Sequence, residues 1–150
     1  MLFGGLTLTT DHGEVAVNNE TWLLDGSRWT QVMTPGPIPP RWNAMMASID
    51  GAVVMFGGTS YGDYFAYDDT WAFDGSTWTQ ITGAAPPGRF SAGMTSYAGG
   101  VLLYGGTNGQ TYDPVLTDTW TFDGTTWTQL AIDAGSSPPA RASTAMAALQ

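Results

Sequence analysis

Apolar and polar positions along this chain follow short patterns of period two, broken by glycine and proline. Residues 118–124, DTWTFDG, alternate Trp120 and Phe122 with Thr119 and Thr121, the period of a β-strand. Just ahead, VLLYGG at 101–106 is an unbroken apolar run ending in two glycines, as expected of a strand buried on both faces. The stretch RFSAGMTSY at 89–97 leads into it through Ala98-Gly99-Gly100, and WTQLAI at 127–132 follows a short Asp-Gly-Thr-Thr turn. Asp-Gly supplies a turn conformation that β-branched residues resist. These four segments predict strands A, B, C and D in that order. No segment joins a helical period to helix caps, so no helix beyond a single turn is predicted.

The same pattern recurs. Trp22, Trp71 and Trp120 lie 49 residues apart, and the Asp25-Gly26, Asp74-Gly75 and Asp123-Gly124 pairs keep that interval, as do Trp29, Trp78 and Trp127. Glycine pairs at Gly4-Gly5, Gly57-Gly58 and Gly105-Gly106 recur at 53 and 48, and Arg41, Arg89 and Arg141 at 48 and 52. Each arginine follows a Pro-Pro pair. Proline cannot pair inside a sheet, so these stretches read as links between units. Five landmarks in three copies define a repeat architecture, with units of approximately 1–50, 51–98 and 99–150.

The pattern resembles the kelch repeat. A Gly-Gly doublet closes the second strand at Gly57-Gly58, and aromatic residues mark the third and fourth strands at Trp71 and Trp78, with equivalents in the other two copies. One departure is a Trp on the third strand, where the family often has Tyr. The resemblance spans essentially the whole chain. It implies an all-β fold of kelch-type β-propeller blades, three four-stranded blades per chain, each burying its faces against its neighbours.

The copies run in the permuted order B-C-D-A. The first strand B is Met1 to Gly5 and the last strand A is Arg141 to Gln150, so each end is expected to lack its hairpin partner. Propellers typically have four to eight blades, and three leave too little circumference for a ring. An open arc would expose apolar blade faces and an unpaired strand edge. The expected partner is therefore the chain itself, as a homodimer closing a six-bladed ring, strand A of each copy pairing with strand B of the other. The alternative is a fragment of a longer kelch protein.

Composition narrows the rest. Thirteen Asp and Glu face four Arg, with no Lys, giving a net charge of −9 and a pI near 4.1. That balance argues against nucleic acid and anionic membrane as partners. Without Cys there are no disulfides, thiolate metal ligands or Cys nucleophiles. No apolar run reaches the length of a bilayer span, and the first residues lack a signal-peptide pattern. Localisation stays open: the absence of Lys and Cys fits an exported bacterial protein.

The C–D turns are uniform (DGSR, DGST, DGTT), whereas the B–C and D–A connections vary. A ligand, if one binds, is expected on the variable face. The candidate binding residues there are Arg41, Arg89 and Arg141, with Trp42, Tyr64 and Tyr112. The kelch resemblance implies that arginines before strand A can hold acidic peptides through bidentate contacts. The competing reading is structural: an Arg present in every blade bonds a loop carbonyl or an acidic neighbour, and its threefold repetition favours that role. The B–C loops carry Asp11, His12 and Glu14, then Tyr61, Asp63, Tyr64 and Phe65, then Asn108, Tyr112 and Asp113. Aromatic and acidic groups together would suit a carbohydrate, though ordinary polar loop composition is the more economical explanation. No loop has the spaced Asp pattern of a Ca²⁺ site, and no metal or cofactor is expected.

Catalysis has little to draw on. Galactose-oxidase-like copper chemistry, found on kelch blades, needs two His and a Tyr–Cys crosslink, and this chain has His12 alone. Glu20, Asp69 and Asp118 hold equivalent places before Thr-Trp, and Asp25, Asp74 and Asp123 hold equivalent places in their turns. Repetition marks most of them as turn and cap residues. The chain reads as a non-catalytic scaffold or binding module, with a carbohydrate- or acidic-peptide-binding propeller as the alternative and a hydrolase fragment a weaker third.

Overall fold

The computed structural model describes residues 1–8, 15–33, 38–60, 62, 65–109, 115–133 and 135–149. Every regular element among them is a strand, in three antiparallel sheets. The first holds β1 (Leu2–Leu8), β2 (Val15–Asp25) and β3 (Arg28–Val32). The second holds β4 (Met45–Ile49), β5 (Ala52–Phe56), β6 (Thr70–Phe73) and β7 (Trp78–Ile81). The third holds β8 (Gly93–Tyr97), β9 (Gly100–Tyr104), β10 (Thr119–Phe122) and β11 (Trp127–Leu130). Strands that follow one another in sequence lie side by side in each sheet. Registers repeat as well: Trp22 sits opposite Leu2, Trp71 opposite Met55, and Trp120 opposite Leu103. Each sheet is one up-and-down blade.

The blades stack through strand B. In β5 and β9, Val54, Met55, Phe56, Val101 and Leu103 are all essentially inaccessible. Strand β5 is buried on both faces, Met55 against the first blade and Val54 and Phe56 against the third, whereas Val101 and Leu103 of β9 share the face that meets the second blade. One apolar cluster joins the first two blades through Phe3, Leu23, Met55, Phe73 and Trp78. A second joins the next two through Ile49, Phe56, Leu103, Phe122 and Trp127. The first strands converge, with β4 packed on β8 and Ser96 Oγ donating 2.7 Å to the Ser48 carbonyl.

The Gly-Gly doublets let successive repeats dock. Gly5 N donates to Arg41 O at 2.9 Å, Gly58 N to Arg89 O at 3.0 Å, and Gly106 N to Arg141 O at 3.0 Å. A Cβ on Gly57, the first of its pair, would stand 2.2 Å from Arg89 O, at a φ of +67° that side chains disfavour.

Two features depart from three complete blades. Among the described residues the first sheet has no strand A, and residues 141–149 of the strand A expected over 141–150 join no ladder. Residues 142–147 nonetheless alternate between half-buried and exposed, the mark of an extended segment lying on one face. Ser143 N donates to Ser91 O at 2.7 Å, just as Ser91 N donates to Asn43 O. The segment thus continues the series of first strands β4 and β8, in the position of the strand A that follows the third blade.

The first blade shows what an uncovered face costs. Leu2 is 46% exposed where its equivalents Met55 and Leu103 are at 0%, and Trp29 is 47% exposed where Trp78 and Trp127 are at 7% and 6%. Leu24, at 49%, stands where Phe73 and Phe122 are at 1%. This face is built like a blade interface, and no blade among the described residues packs against it.

Candidate functional site

The candidate arginines begin where the proline links deliver the chain to each strand A. Docking on the preceding blade's Gly-Gly doublet fixes the backbone, and the side chain then crosses into the following blade. Arg41 donates through Nη1 to Asp69 Oδ1 at 2.5 Å and to Gly57 O at 2.9 Å, and through Nη2 to Asp69 Oδ2 at 2.7 Å. Arg89 repeats this with Asp118 Oδ1 at 2.6 Å, Asp118 Oδ2 at 2.8 Å and Gly105 O at 3.1 Å. Each Nε donates to a proline carbonyl two residues back, Pro39 or Pro87. Both side chains are fully buried.

Each carboxylate also accepts an indole N–H: Trp71 Nε1 to Asp69 Oδ2 at 2.7 Å, and Trp120 Nε1 to Asp118 Oδ2 at 2.6 Å. Burial pushes the Asp118 carboxyl up, but hydrogen bonds from Arg89 and Trp120 and the Arg89 charge outweigh it and hold its pKa below the ordinary value. Arg41 further lies 4.2 Å from the centre of the Tyr67 ring. The donors of these two guanidiniums are thus taken up within the chain, which is the structural role weighed for a repeated Arg.

Arg141 differs. Its backbone is docked on Gly106 like the others, and its Nε donates to Pro139 O at 3.0 Å. The side chain is exposed, and neither Nη has a partner among the described residues. The equivalent carboxylate, Glu20, sits on the first blade, exposed, accepting Trp22 Nε1 at 2.9 Å and no arginine.

Of the other candidates, Trp42 is half-buried and exchanges 3.0 Å backbone hydrogen bonds with Thr59. Its indole Nε1 is buried with no partner among the described residues. Tyr64 and Tyr112 lie outside the described residues, as do Asp11, His12, Glu14, Tyr61, Asp63 and Asp113. Phe65 is 76% exposed. Among the described residues no three His, Cys, Asp or Glu side chains gather as metal ligands.

Two aspartates of the Asp-Gly turns, Asp74 and Asp123, serve the turns. Asp74 Oδ1 accepts the Ser76 and Thr77 N–H groups at 2.8 Å, and Asp123 Oδ1 those of Thr125 and Thr126 at 2.8 Å. Backbone bonds from Thr77 and Ser76 hold Asp74 down to a pKa of about 2. Asp69 and Asp118, grouped with acids most of which are expected in turns and caps, are the acidic neighbours that the arginines bond. The signal was present: Arg41 precedes Asp69 by 28 residues and Arg89 precedes Asp118 by 29.

A second repeated contact joins positions that each recur at 49 residues, though the repeat does not reveal their pairing. Trp78 Nε1 donates 2.9 Å to Thr21 Oγ1 of the preceding blade and stands edge-on to Phe3. Trp127 Nε1 donates 2.9 Å to Thr70 Oγ1, with Phe56 beside it. Fourth-strand Trp to third-strand Thr is a blade-to-blade tie.

Repeated antiparallel sheets stacked through both faces, with ties that cross from blade to blade, define a β-propeller repeat protein. Comparison with known proteins makes this specific. The family model for the KLHDC2/KLHL20/DRC7 Kelch-repeats domain matches residues 1–150, so the chain belongs to the kelch-repeat family. Among solved structures it is similar to one described as the structure of YjhT, with a TM-score of 0.69 at 16% identity over 90% of this chain. The chain spans about half of that protein, 49% of its length. No curated protein matches the sequence significantly. Kelch propellers are in general binding scaffolds without catalytic chemistry.

Proposed function

We propose that the chain is a non-catalytic scaffold that closes against a second copy of itself as a six-bladed ring. One observation carries the reading: among the described residues, each end of the arc presents a strand edge or segment without a hairpin partner. At one end β1 offers a free strand edge and the apolar face of Leu2, Leu24 and Trp29. At the other, residues 142–147 lie extended in the place of a strand A with no strand B beside them. An open edge next to an exposed apolar face is a template for pairing. That a structure with a similar fold is about twice as long supports two arcs as enough for a ring.

Sedimentation velocity or multi-angle light scattering on the 150-residue chain tests this. The expected mass is twice 15.9 kDa, and a stable monomer would overturn the reading. A defined trimer would overturn it too, since nine blades exceed the usual range.

A further inference from the structure

Resting on that two-copy reading, we infer that the seam is locked by a cross-subunit latch. Arg141 of one copy grips Glu20 of the other, and Trp29 of the other copy fills a cavity beside it. Each half of the latch exists, assembled and unpaired, on the chain.

The arginine half is already docked. Arg41 and Arg89 each bond their backbone carbonyl to the preceding blade's doublet and send the guanidinium to the following blade's carboxylate and first-Gly carbonyl. Arg141 has completed the first step, through Gly106 N at 3.0 Å. Among the described residues no carboxylate of a following blade meets its guanidinium. The blade with an unclaimed carboxylate is the first, where Glu20 holds the place of Asp69 and Asp118 and keeps the same indole bond, from Trp22. Gly4 holds the place of Gly57 and Gly105, so its carbonyl is the third member. Glutamate is one methylene longer than the aspartates, and its exposed side chain has the freedom to reach. Arginine–carboxylate pairs of this kind are bidentate and geometrically selective.

The cavity is the second half. Trp78 and Trp127 each cover a third-strand Thr and a second-strand Phe on the preceding blade. On the third blade the equivalent residues are Thr119 and Tyr104. They line a cavity of about 450 Å³ together with Leu102, Arg141 and Met146. No fourth-strand Trp fills it. Trp29, the one such Trp without a preceding blade, is 47% exposed. Its expected partner for Nε1–H is the Thr119 hydroxyl of the other copy. The arginine and the cavity adjoin, so one docking event would close both.

A charge-exchange experiment tests the latch. Arg141→Glu and Glu20→Arg are made in separate chains, one carrying a mass tag, and expressed singly and together. Alone, each variant sets like charges against each other at both seams, and its dimer should weaken by roughly 100-fold or more. Together, the two variants form a heterodimer with opposite charges at both seams. One seam pairs the two introduced side chains in reversed polarity, and the other keeps the native Arg141 and Glu20. The heterodimer should therefore form in preference to either homodimer. Glu20→Gln, isosteric and uncharged, should weaken the dimer, whereas Glu20→Asp, the residue of the other two blades, should keep it. A wild-type monomer would overturn the ring and the latch together. A wild-type dimer whose variants all self-associate as it does would overturn the latch and leave the ring. Weakened variants that fail to restore each other on co-expression would overturn the pairing of Arg141 with Glu20. Variants that fold only when co-expressed would support it, because intrachain pairing predicts no such rescue.

Discussion

At the residue scale, the arginine before each strand A is best understood as a bridge whose backbone belongs to one blade and whose charge belongs to the next. Replacing Arg89 with Met would strand the half-buried Asp118 without its cation. The expected loss is about 3 kcal/mol, at the low end for a buried pair because Asp118 keeps 20% of its side chain exposed. Urea denaturation of the purified protein would measure it. Acid should act on the same groups. Asp74, Asp118 and Asp123 have folded pKa values below the ordinary aspartate value of 3.8. Their contribution to stability is therefore whole above that value and is lost as pH falls through the folded values, about 2 for Asp74. Melting temperature should fall between roughly pH 4 and pH 2, with Asp74→Asn flattening part of the decline. The arginines themselves are visible in the sequence by their spacing. Their partners recur in the sequence too, at separations of 28 and 29 residues, but the bond joins two different repeats and so falls outside the phase in which the repeats are naturally compared.

At the element scale, strands A to D are legible wherever period two meets a turn signal, and the doublets mark the end of each strand B. The Trp–Thr ties are not legible, since a threonine beside a tryptophan is ordinary strand composition. Only stacking shows that Trp127 reaches Thr70 of the preceding blade. Thr70→Val keeps the shape and removes the acceptor, leaving a buried indole N–H unpaired. The expected cost is about 1–3 kcal/mol, readable by thermal melting. Gly57→Ala should cost more, since it combines a left-handed φ of +67° with a Cβ driven onto Arg89 O. Loss of cooperative unfolding would be its signature. The last strand A is legible as a segment but forms no strand. A ladder needs a neighbour, and sequence periodicity reports only which side chains share a face.

At the scale of the whole molecule, a stability that depends on a second copy depends on its concentration. Melting temperature should rise over a hundredfold increase in chain concentration, and scanning calorimetry at both extremes would detect it; a concentration-independent melt would argue for a self-sufficient arc. The two ends of the arc are unlike surfaces, one with β1 and Glu20, the other with Arg141 and the cavity at Thr119. Contact between unlike surfaces is head-to-tail, and such contacts either close on themselves or continue as filaments. The angle between successive blades decides which, so the packing of Phe3 on Trp78 and of Phe56 on Trp127 sets the boundary between a finite particle and a polymer.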